Sequence, residues 1–245
     1  IAFNNRIENS TLSGGSWSGT LPLNNAKSSI IGIPARSANS LAASTQFVID
    51  VGVDKVTRAI GLIAHNMSLA ATIRIRASEN DPTMVSGVLF DSGWQQAWPA
   101  VYASEDLEWE APNWWEGQYT DEERQGLTYT FIESNSVNMF ARYWLVEVSD
   151  TSNADGYLQI GRIFVGEAWQ PSVNMLYGAG IGIEDPSEIS EAVSGAEFSD
   201  ERAKYRVAAF TVNNLKVDEA YGRAFDIMKR VGITKDVLFQ YDPDD

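Results

Sequence analysis

Residues 140–166 constrain the fold more than any other part of this 245-residue chain. They predict two consecutive β-strands, 142–148 and 157–165, separated by a run of turn-forming residues at 150–156. Both faces of the first strand carry apolar side chains, which is typical of a strand that is covered on both sides or crosses the middle of a sandwich. The stretch contains no evident nucleophile or metal-ligand cluster, so it predicts an architectural role.

Other segments have the patterns of further strands. Residues 44–52 and 70–78 alternate apolar and polar side chains, and residues 56–64 are nearly all apolar, as in a buried strand. Residues 129–132 are a further strand candidate. Pro22 and Pro34 exclude a central strand from residues 1–40, which we expect to form an edge or a wrapping arm. We expect a set of alternating residues to face one core: Phe47, Ile49, Ile73 and Ile75.

The pattern changes after about residue 170. Residues 183–201 contain seven acidic residues and no basic one. Residues 204–215 predict a strand, residues 217–231 an amphipathic helix, and residues 236–241 a final strand. Acidic residues in the first turn of the helix, basic residues in its last turn, and Gly232 after it are typical helix-end signals. The sequence therefore predicts a small α+β unit after an all-β body.

Composition limits the classes of partner. The formal net charge of −15 argues against nucleic acid, because phosphate contacts need clustered lysine and arginine. No apolar run reaches the length of a membrane span, so we expect no membrane insertion. The absence of cysteine excludes disulfides and thiolate metal sites and fits folding in a reducing cytosol.

Few residues suggest catalysis or metal binding. His65 is the only histidine, and the interpretation we prefer is a hydrogen-bonded residue at a strand end. Asp150, Asn153 and Asp155 could offer oxygen ligands to Ca²⁺, but the segment is short, and a plain turn is the alternative. Acidic pairs that could serve glycoside hydrolysis are so common that none stands out: Glu105/Glu108, Glu108/Glu110 and Glu122/Glu123. We expect no catalytic residue, no cofactor and no metal.

The segment 81–125 is the best candidate for a binding site. It contains five of the eight tryptophans, and residues 104–123 contain eight acidic residues and no basic one. Indoles stack on sugar rings, and carboxylates accept hydrogen bonds from sugar hydroxyls. The alternative is that these aromatic side chains pack the loop onto the body or fill a subunit interface. The candidate carbohydrate-binding residues are Trp98, Trp109, Trp114, Trp115 and Tyr119.

Several motifs together resemble a known family. They lie at residues 21–25, 35–37, 45–52, 65–66, 74–78, 141–144 and 156–166. Their succession resembles the galactose-binding-like, discoidin-type jelly-roll. With His65-Asn66 after the second core strand and the Gly-Tyr-x-x-Ile-Gly-Arg pattern at residues 156–162, it is similar to a minor structural protein of long-tailed bacteriophages. The likeness covers roughly residues 5–170, and the C-terminal piece resembles phage tail-tip proteins more loosely.

The resemblance implies a fold and a function. The fold is mainly β: a jelly-roll β-sandwich over residues 1–170 with a Trp-rich acidic insertion at about 81–125, then a small strand-helix-strand α+β docking domain over residues 171–245. The function is that of a non-enzymatic structural component of a phage tail, at the distal tail tip or baseplate. The chain would be made in the bacterial host cytoplasm and form a homo-oligomer with other tail proteins in the virion. One alternative is a carbohydrate-binding, lectin-like protein that uses loop 94–119 to attach to a host-surface glycan. A third hypothesis is a glycosidase.

Overall fold

The structure is a computed structural model that describes residues 1–53, 55–124, 128–192, 194–202 and 204–241. Within these residues the strands are β1 (Ala2–Phe3), β2 (Thr11–Ser13), β3 (Ala35–Arg36), β4 (Phe47–Asp50), β5 (Thr57–His65), β6 (Thr72–Ser78), β7 (Val88–Asp91), β8 (Gln95–Gln96), β9 (Thr130–Met139), β10 (Tyr143–Ser149), β11 (Gln159–Ala168), β12 (Gly180–Glu184), β13 (Glu188–Glu191), β14 (Glu197–Asp200) and β15 (Tyr205–Ala209). The α-helices are α1 (Ala42–Thr45), α2 (Val217–Glu219) and α3 (Phe225–Val231), with a π-helical turn at Ala220–Ala224 and 3₁₀ helices at Ile7–Asn9, Leu23–Lys27 and Ser104–Asp106.

Two antiparallel sheets form a jelly-roll β-sandwich. The first has the order β1-β11-β5-β9, with β3 also paired to β11. The second has the order β2-β4-β10-β6-β7, with β8 also paired to β6. The consecutive strands β10 and β11 lie in different sheets, so the predicted turn between them carries the chain across the sandwich. The predicted mainly-β fold is confirmed.

The core lies between the two sheets and is built by period-two alternation. In β10, Trp144 pairs with Ile49 of β4 on one side and with Ala77 of β6 on the other. The side chain of Trp144 is fully buried. The four residues predicted to share a core, Phe47, Ile49, Ile73 and Ile75, are all 0% exposed and belong to one cluster, so this prediction is confirmed.

The outer side of the second sheet carries arginine–carboxylate pairs. They are Arg74–Asp91 (Nη2–Oδ2 2.5 Å), Arg76–Glu147 (Nη2–Oε2 2.8 Å) and Arg142–Asp50 (Nη2–Oδ2 2.9 Å). The hydrogen bonds from Arg74 lower the pKa of Asp91 to about 2. Each pair is partly exposed, so its contribution to stability is at most about 1 kcal/mol. As a result, Arg74 and Arg76 of β6 already form ion pairs with acidic residues of the neighbouring strands.

Leu238 covers part of the outer face of β11, beside the N-terminal strand β1, which pairs with β11 in the same sheet. The backbone of Leu238 forms an antiparallel bridge with Ala2, through hydrogen bonds of 2.7 and 2.9 Å. The Leu238 side chain packs with Ala59 and Phe164 in a second, smaller apolar cluster.

The predicted final strand 236–241 is wrong. It is reduced to the single bridge between Ala2 and Leu238, because only one backbone position meets β1. Residues 226–241 belong to the same compact unit as the sandwich, which differs from the predicted extent of the C-terminal domain.

A second compact unit holds residues 171–225 together with residues 121–124. It contains two separate two-stranded antiparallel sheets, β12–β15 and β13–β14. The predicted strand 204–215 is shorter in the structure, where β15 ends at Ala209.

The predicted helix 217–231 is present as α2, the π-helical turn and α3. Gly232 follows it with φ +59°, and its N–H bonds the carbonyl of Met228 at 2.9 Å, as a helix end requires. The predicted apolar stripe is mostly exposed, from Val217 to Met228, and only Val231 is buried. None of the helices in the described parts of the chain has the length and apolar character that a membrane span requires.

Part of the predicted insertion 81–125 belongs to the sandwich. Strands β7 and β8 extend the second sheet by pairing with β6. The remaining segment, 97–124, forms an irregular loop with one 3₁₀ turn. Residue 125 of the predicted insertion and residues 193, 203 and 242–245 of the predicted C-terminal domain lie outside the described residues.

Replacing Ile75 by alanine is expected to lower the free energy of unfolding by about 2–5 kcal/mol, because the change leaves a cavity in a fully buried core. Chemical denaturation followed by circular dichroism measures the change. Val85→Ala is the matched control, since Val85 is 86% exposed. Equal stability of the two variants would contradict the observed register of β6.

Candidate functional site

The long loop 97–124 leaves and re-enters the sandwich at one end. It follows β8, whose Gln96 pairs with Thr72 at the start of β6. Thr72 also pairs with Ser149, the last residue of β10. Strand β9, which follows the loop, pairs its Thr130 with Ile63 near the end of β5. The long loop, the β5–β6 turn and the β10–β11 turn therefore emerge at the same end.

Trp98 anchors the start of the loop in the sandwich. Its side chain is only 6% exposed, and its Nε1–H donates to the carbonyl of Met67 at 3.0 Å. Its ring makes edge contacts with Tyr129 and His65, at centroid distances of 4.8 and 5.4 Å. The Nε2–H of Gln118 donates to the Trp98 carbonyl at 2.6 Å, so the two ends of the loop are joined. Trp98 is therefore a packing residue.

Backbone hydrogen bonds close the base of the loop. The carbonyl of Gly117 accepts from the N–H groups of Val101 and Tyr102, at 2.7 and 2.9 Å. The N–H of Gly117 donates to the carbonyl of Asn113 at 2.8 Å. Gly117 has φ +61°, and a Cβ at this position would collide with the Tyr102 carbonyl. The close approach of the two loop segments thus depends on glycine at position 117.

The structure divides the predicted carbohydrate-binding residues into two groups. Trp109 and Trp115 lie at the surface, with 72% and 83% of their area exposed. Trp114 is half-buried and supports Trp109 by an edge-on ring contact, with centroids 5.0 Å apart and planes at 67°. Tyr119 is half-buried and its ring lies 6.4 Å from that of Trp98. Of the five predicted residues, only Trp109 and Trp115 therefore present indole faces that a ligand can reach readily.

Acidic side chains surround the exposed tryptophans in the sequence. Glu108 and Glu110 flank Trp109, and Glu116 follows Trp115; all three are exposed. The members of the predicted acidic pairs are also exposed: Glu105, Glu108, Glu110, Glu122 and Glu123. The loop surface thus combines flat apolar rings with solvated hydrogen-bond acceptors.

His65 lies at the end of β5, as predicted. Its Nδ1 accepts a hydrogen bond from the N–H of Met67 at 3.3 Å, and its ring contacts Trp98. These contacts place the imidazole in the packing that holds the loop base.

The acidic turn between β10 and β11 is held by hydrogen bonds. The carboxylate of Asp150 accepts from the hydroxyl and N–H of Ser68, at 2.5 and 2.9 Å, and from Nδ2 of Asn153 at 2.9 Å. Asp155 accepts from Nδ2 of Asn66 at 2.8 Å. These hydrogen bonds join the β10–β11 turn to residues 66–68 at the end of the sandwich. In the part of the chain that the structure describes, no group of three or more histidine or acidic side chains is arranged to hold a metal ion.

Sequence reasoning missed one contact at the loop base. Glu133 of β9 accepts a hydrogen bond from Nε2 of Gln95 of β8, so it links the two sheets. Burial raises the pKa of Glu133, while the hydrogen bond from Gln95 acts in the opposite direction. The sequence contains a signal for this contact. Glu133 lies two positions after Phe131, so both side chains point to the same face of the strand, and Phe131 points to the core.

The chain was compared with known proteins. No protein-family model matches it, and no curated protein matches it. Solved structures do match: the family 32 CBM from C. perfringens NanJ in complex with galactose has a TM-score of 0.43 and 14% identity, covering 68% of this chain and 100% of that one. The lectin domain of Lectinolysin complexed with Lewis B antigen has a TM-score of 0.42 and 10% identity, covering 69% and 100%. Chitosan-binding module 1 of a chitosanase/glucanase from Paenibacillus sp. IK-5 has a TM-score of 0.38 and 14% identity, covering 67% and 99%. Likenesses at these TM-scores are too loose to bear on what this chain binds.

Replacing Trp98 by alanine is expected to lower the free energy of unfolding by about 3–5 kcal/mol, because it removes a large buried ring and its hydrogen bond. Trp115→Ala is the matched control and is expected to change stability by less than about 0.5 kcal/mol, since that indole is exposed. Urea denaturation of both variants measures the difference. A larger loss for Trp115→Ala would show that the roles of the two indoles are reversed.

Proposed function

We propose that this protein is a non-catalytic carbohydrate-binding protein. The observation that carries the proposal is the presence of two widely exposed indoles, Trp109 and Trp115, on a loop that is anchored to one end of a β-sandwich. An indole side chain exposed to this extent keeps a large apolar surface in contact with water, and a ligand that covers this surface lowers the free energy. The flat apolar face of a pyranose ring suits such a surface.

The charge of the loop selects among saccharides. Eight acidic residues and no basic one lie between residues 104 and 123. Carboxylates accept hydrogen bonds from sugar hydroxyls and attract sugar amines, but they repel sialic and uronic acids. The ligand class that fits is therefore a neutral or amino sugar.

The anchoring of the loop favours binding. The hydrogen bonds of Gly117 and the burial of Trp98 fix the base of the loop before any ligand arrives. A ligand that meets a fixed surface avoids the entropic cost of ordering the loop. The edge-on support of Trp109 by Trp114 limits the rotation of the exposed ring in the same way.

The proposed role excludes hydrolysis. A glycosidase needs a general acid whose pKa is raised by burial, paired with a second carboxylate across the scissile bond. The acidic side chains beside Trp109 and Trp115 are solvated. Burial raises the pKa of Glu133, but this carboxylate lies at the loop base, where it accepts a hydrogen bond from Gln95.

The test is a glycan array followed by calorimetric titration of the best neutral or amino sugar. Trp109→Ala and Trp115→Ala are each expected to weaken binding by about tenfold or more, equivalent to about 1.4 kcal/mol of lost stacking. Tyr177→Ala is the control, because Tyr177 is an exposed aromatic residue that lies outside the loop in the sequence. Wild-type affinity in both loop variants would refute the site, and release of reducing ends by the unaltered chain would refute the non-catalytic role.

We propose a second, compatible function: a structural component of a bacteriophage tail at its distal tip or baseplate. What supports it is the second compact unit, whose strands and helix α2 expose most of their apolar side chains. Such a surface suits a protein that assembles with others. Made in the host cytoplasm and assembled as a homo-oligomer with other tail proteins, the chain would bring its saccharide site to a host surface.

The tail assignment is tested by locating the chain in particles. Antibodies against it are expected to label the tail tip of the phage that encodes it, in immuno-electron micrographs. Antibodies against the major capsid protein serve as the control for labelling elsewhere on the particle. Intact particles that lack the chain altogether would exclude the tail role and leave saccharide binding unaffected.

A further inference from the structure

The strands of the second unit bury almost none of their own surface. All residues of β12, β13, β14 and β15 are exposed. They form two separate two-stranded sheets, and an isolated two-stranded sheet is only marginally stable in water. Several of the exposed residues are large and apolar: Ile181, Ile183, Ile189, Phe198, Tyr205 and Val207. Both the backbone edges and the side-chain faces of these sheets are therefore open to a further partner.

The hairpin β13–β14 also places like charges opposite each other. Glu188 faces Asp200, and Glu191 faces Glu197. Like charges at directly opposed positions destabilise a pair of strands. Arg202 relieves the first pair, with its Nη2 2.9 Å from Asp200 and 3.3 Å from Glu188.

The second acidic pair, Glu191 and Glu197, has no such ion pair with a basic residue among the described residues. The pair lies next to the turn, where the N–H of Ala192 donates to the carbonyl of Ala196 at 2.8 Å. The hairpin thus combines exposed apolar side chains, free edges and uncompensated negative charge within one short element.

Charge decides which partner can complete the hairpin. Residues 184–201 contain seven acidic residues and no basic one, and the whole chain has a net charge of −15. A second copy of the chain would bring the same negative surface against itself. A different protein with lysine or arginine on an extended segment would neutralise Glu191 and Glu197 while its apolar side chains cover Ile189 and Phe198.

We propose that the hairpin β13–β14 is a docking site for a basic, extended segment of a different protein, which adds to the hairpin as a further strand. Strand addition satisfies the open backbone edge, and the basic side chains remove the cross-strand repulsion. The contact is independent of saccharide binding. It gives the assembly role a specific surface and a partner of defined charge.

The probe is a synthetic peptide of about ten residues, alternating lysine and valine, with a glutamate–valine peptide as its control. Binding to the full chain is measured by titration, and amide hydrogen exchange locates it. The amides of β13 and β14 are expected to exchange rapidly in the free chain and to become protected by the lysine peptide only. Protection that rises with the concentration of the chain alone would identify a second copy as the occupant and overturn the proposal.

Two matched double variants separate docking from general attraction to an acidic protein. Glu191→Gln/Glu197→Gln is expected to weaken peptide binding about tenfold, yet to slow exchange in the free hairpin by about two- to fivefold, because the repulsion is removed. Glu105→Gln/Glu108→Gln removes the same charge from the long loop and is expected to change neither quantity. An equal loss of binding in both variants would show non-specific attraction and refute the docking site. Trp109→Ala is expected to bind the peptide normally, so the saccharide site and the docking site can fail separately.

Discussion

The burial of β11 on both faces is the constraint on which the sandwich depends. Residues Ile160 to Val165 are all buried, whereas a strand that faces solvent on one side would alternate. One face packs into the core between the sheets, and Phe164 on the other face packs with Ala59 and Leu238. The Leu238 side chain covers this face, and β1, which pairs with β11 in the same sheet, holds Leu238 there through the bridge from Ala2. Without the bridge between Ala2 and Leu238, the outer apolar cluster would be exposed to water.

Close packing over the first sheet also explains two of its glycines. A Cβ at position 61 would lie 2.5 Å from the Leu238 side chain, and a Cβ at position 161 would lie 2.6 Å from Ile31. In both places a covering segment takes the space that a side chain would fill. The end of the sandwich is fixed in a comparable way, because Asp150 ties the β10–β11 turn to Ser68 and Trp98 ties the long loop to Met67. The loop that bears Trp109 and Trp115 therefore starts from a fixed base.

Sequence patterns predicted the core strands and the helix well, for a local reason. The alternation in β4 and β6 and the three-to-four spacing in residues 217–231 report the local conformation directly. Strands β7 and β8 were missed because they are short, partly exposed and interrupted by Gly93. The final strand, 236–241, was overpredicted because its apolar pattern is that of a strand, whereas only Leu238 pairs with another strand. Apolar spacing in the helix also gave no sign that most of its stripe is exposed, since a pattern does not specify what covers it.

The candidate site could be located from the sequence but not resolved into its parts. A tryptophan-rich acidic segment identified the loop, yet whether an indole is buried depends on residues far away in the chain. Trp98 is buried because Met67, His65 and Tyr129 meet it at the end of the sandwich. No local signal distinguishes it from Trp109.

The placement of charge connects the fold with both proposed contacts. In the second sheet, arginines such as Arg74 and Arg76 are paired across strands, so they do not offset acidic residues elsewhere. The excess negative charge therefore accumulates in two segments without basic residues, 104–123 and 184–201. Each segment also exposes aromatic or aliphatic side chains, including Trp115 in the first and Phe198 in the second. Exposed apolar surface of this kind favours self-association, but like charge on every copy opposes it. The same negative charge suits the neutral or cationic ligands proposed for the two segments.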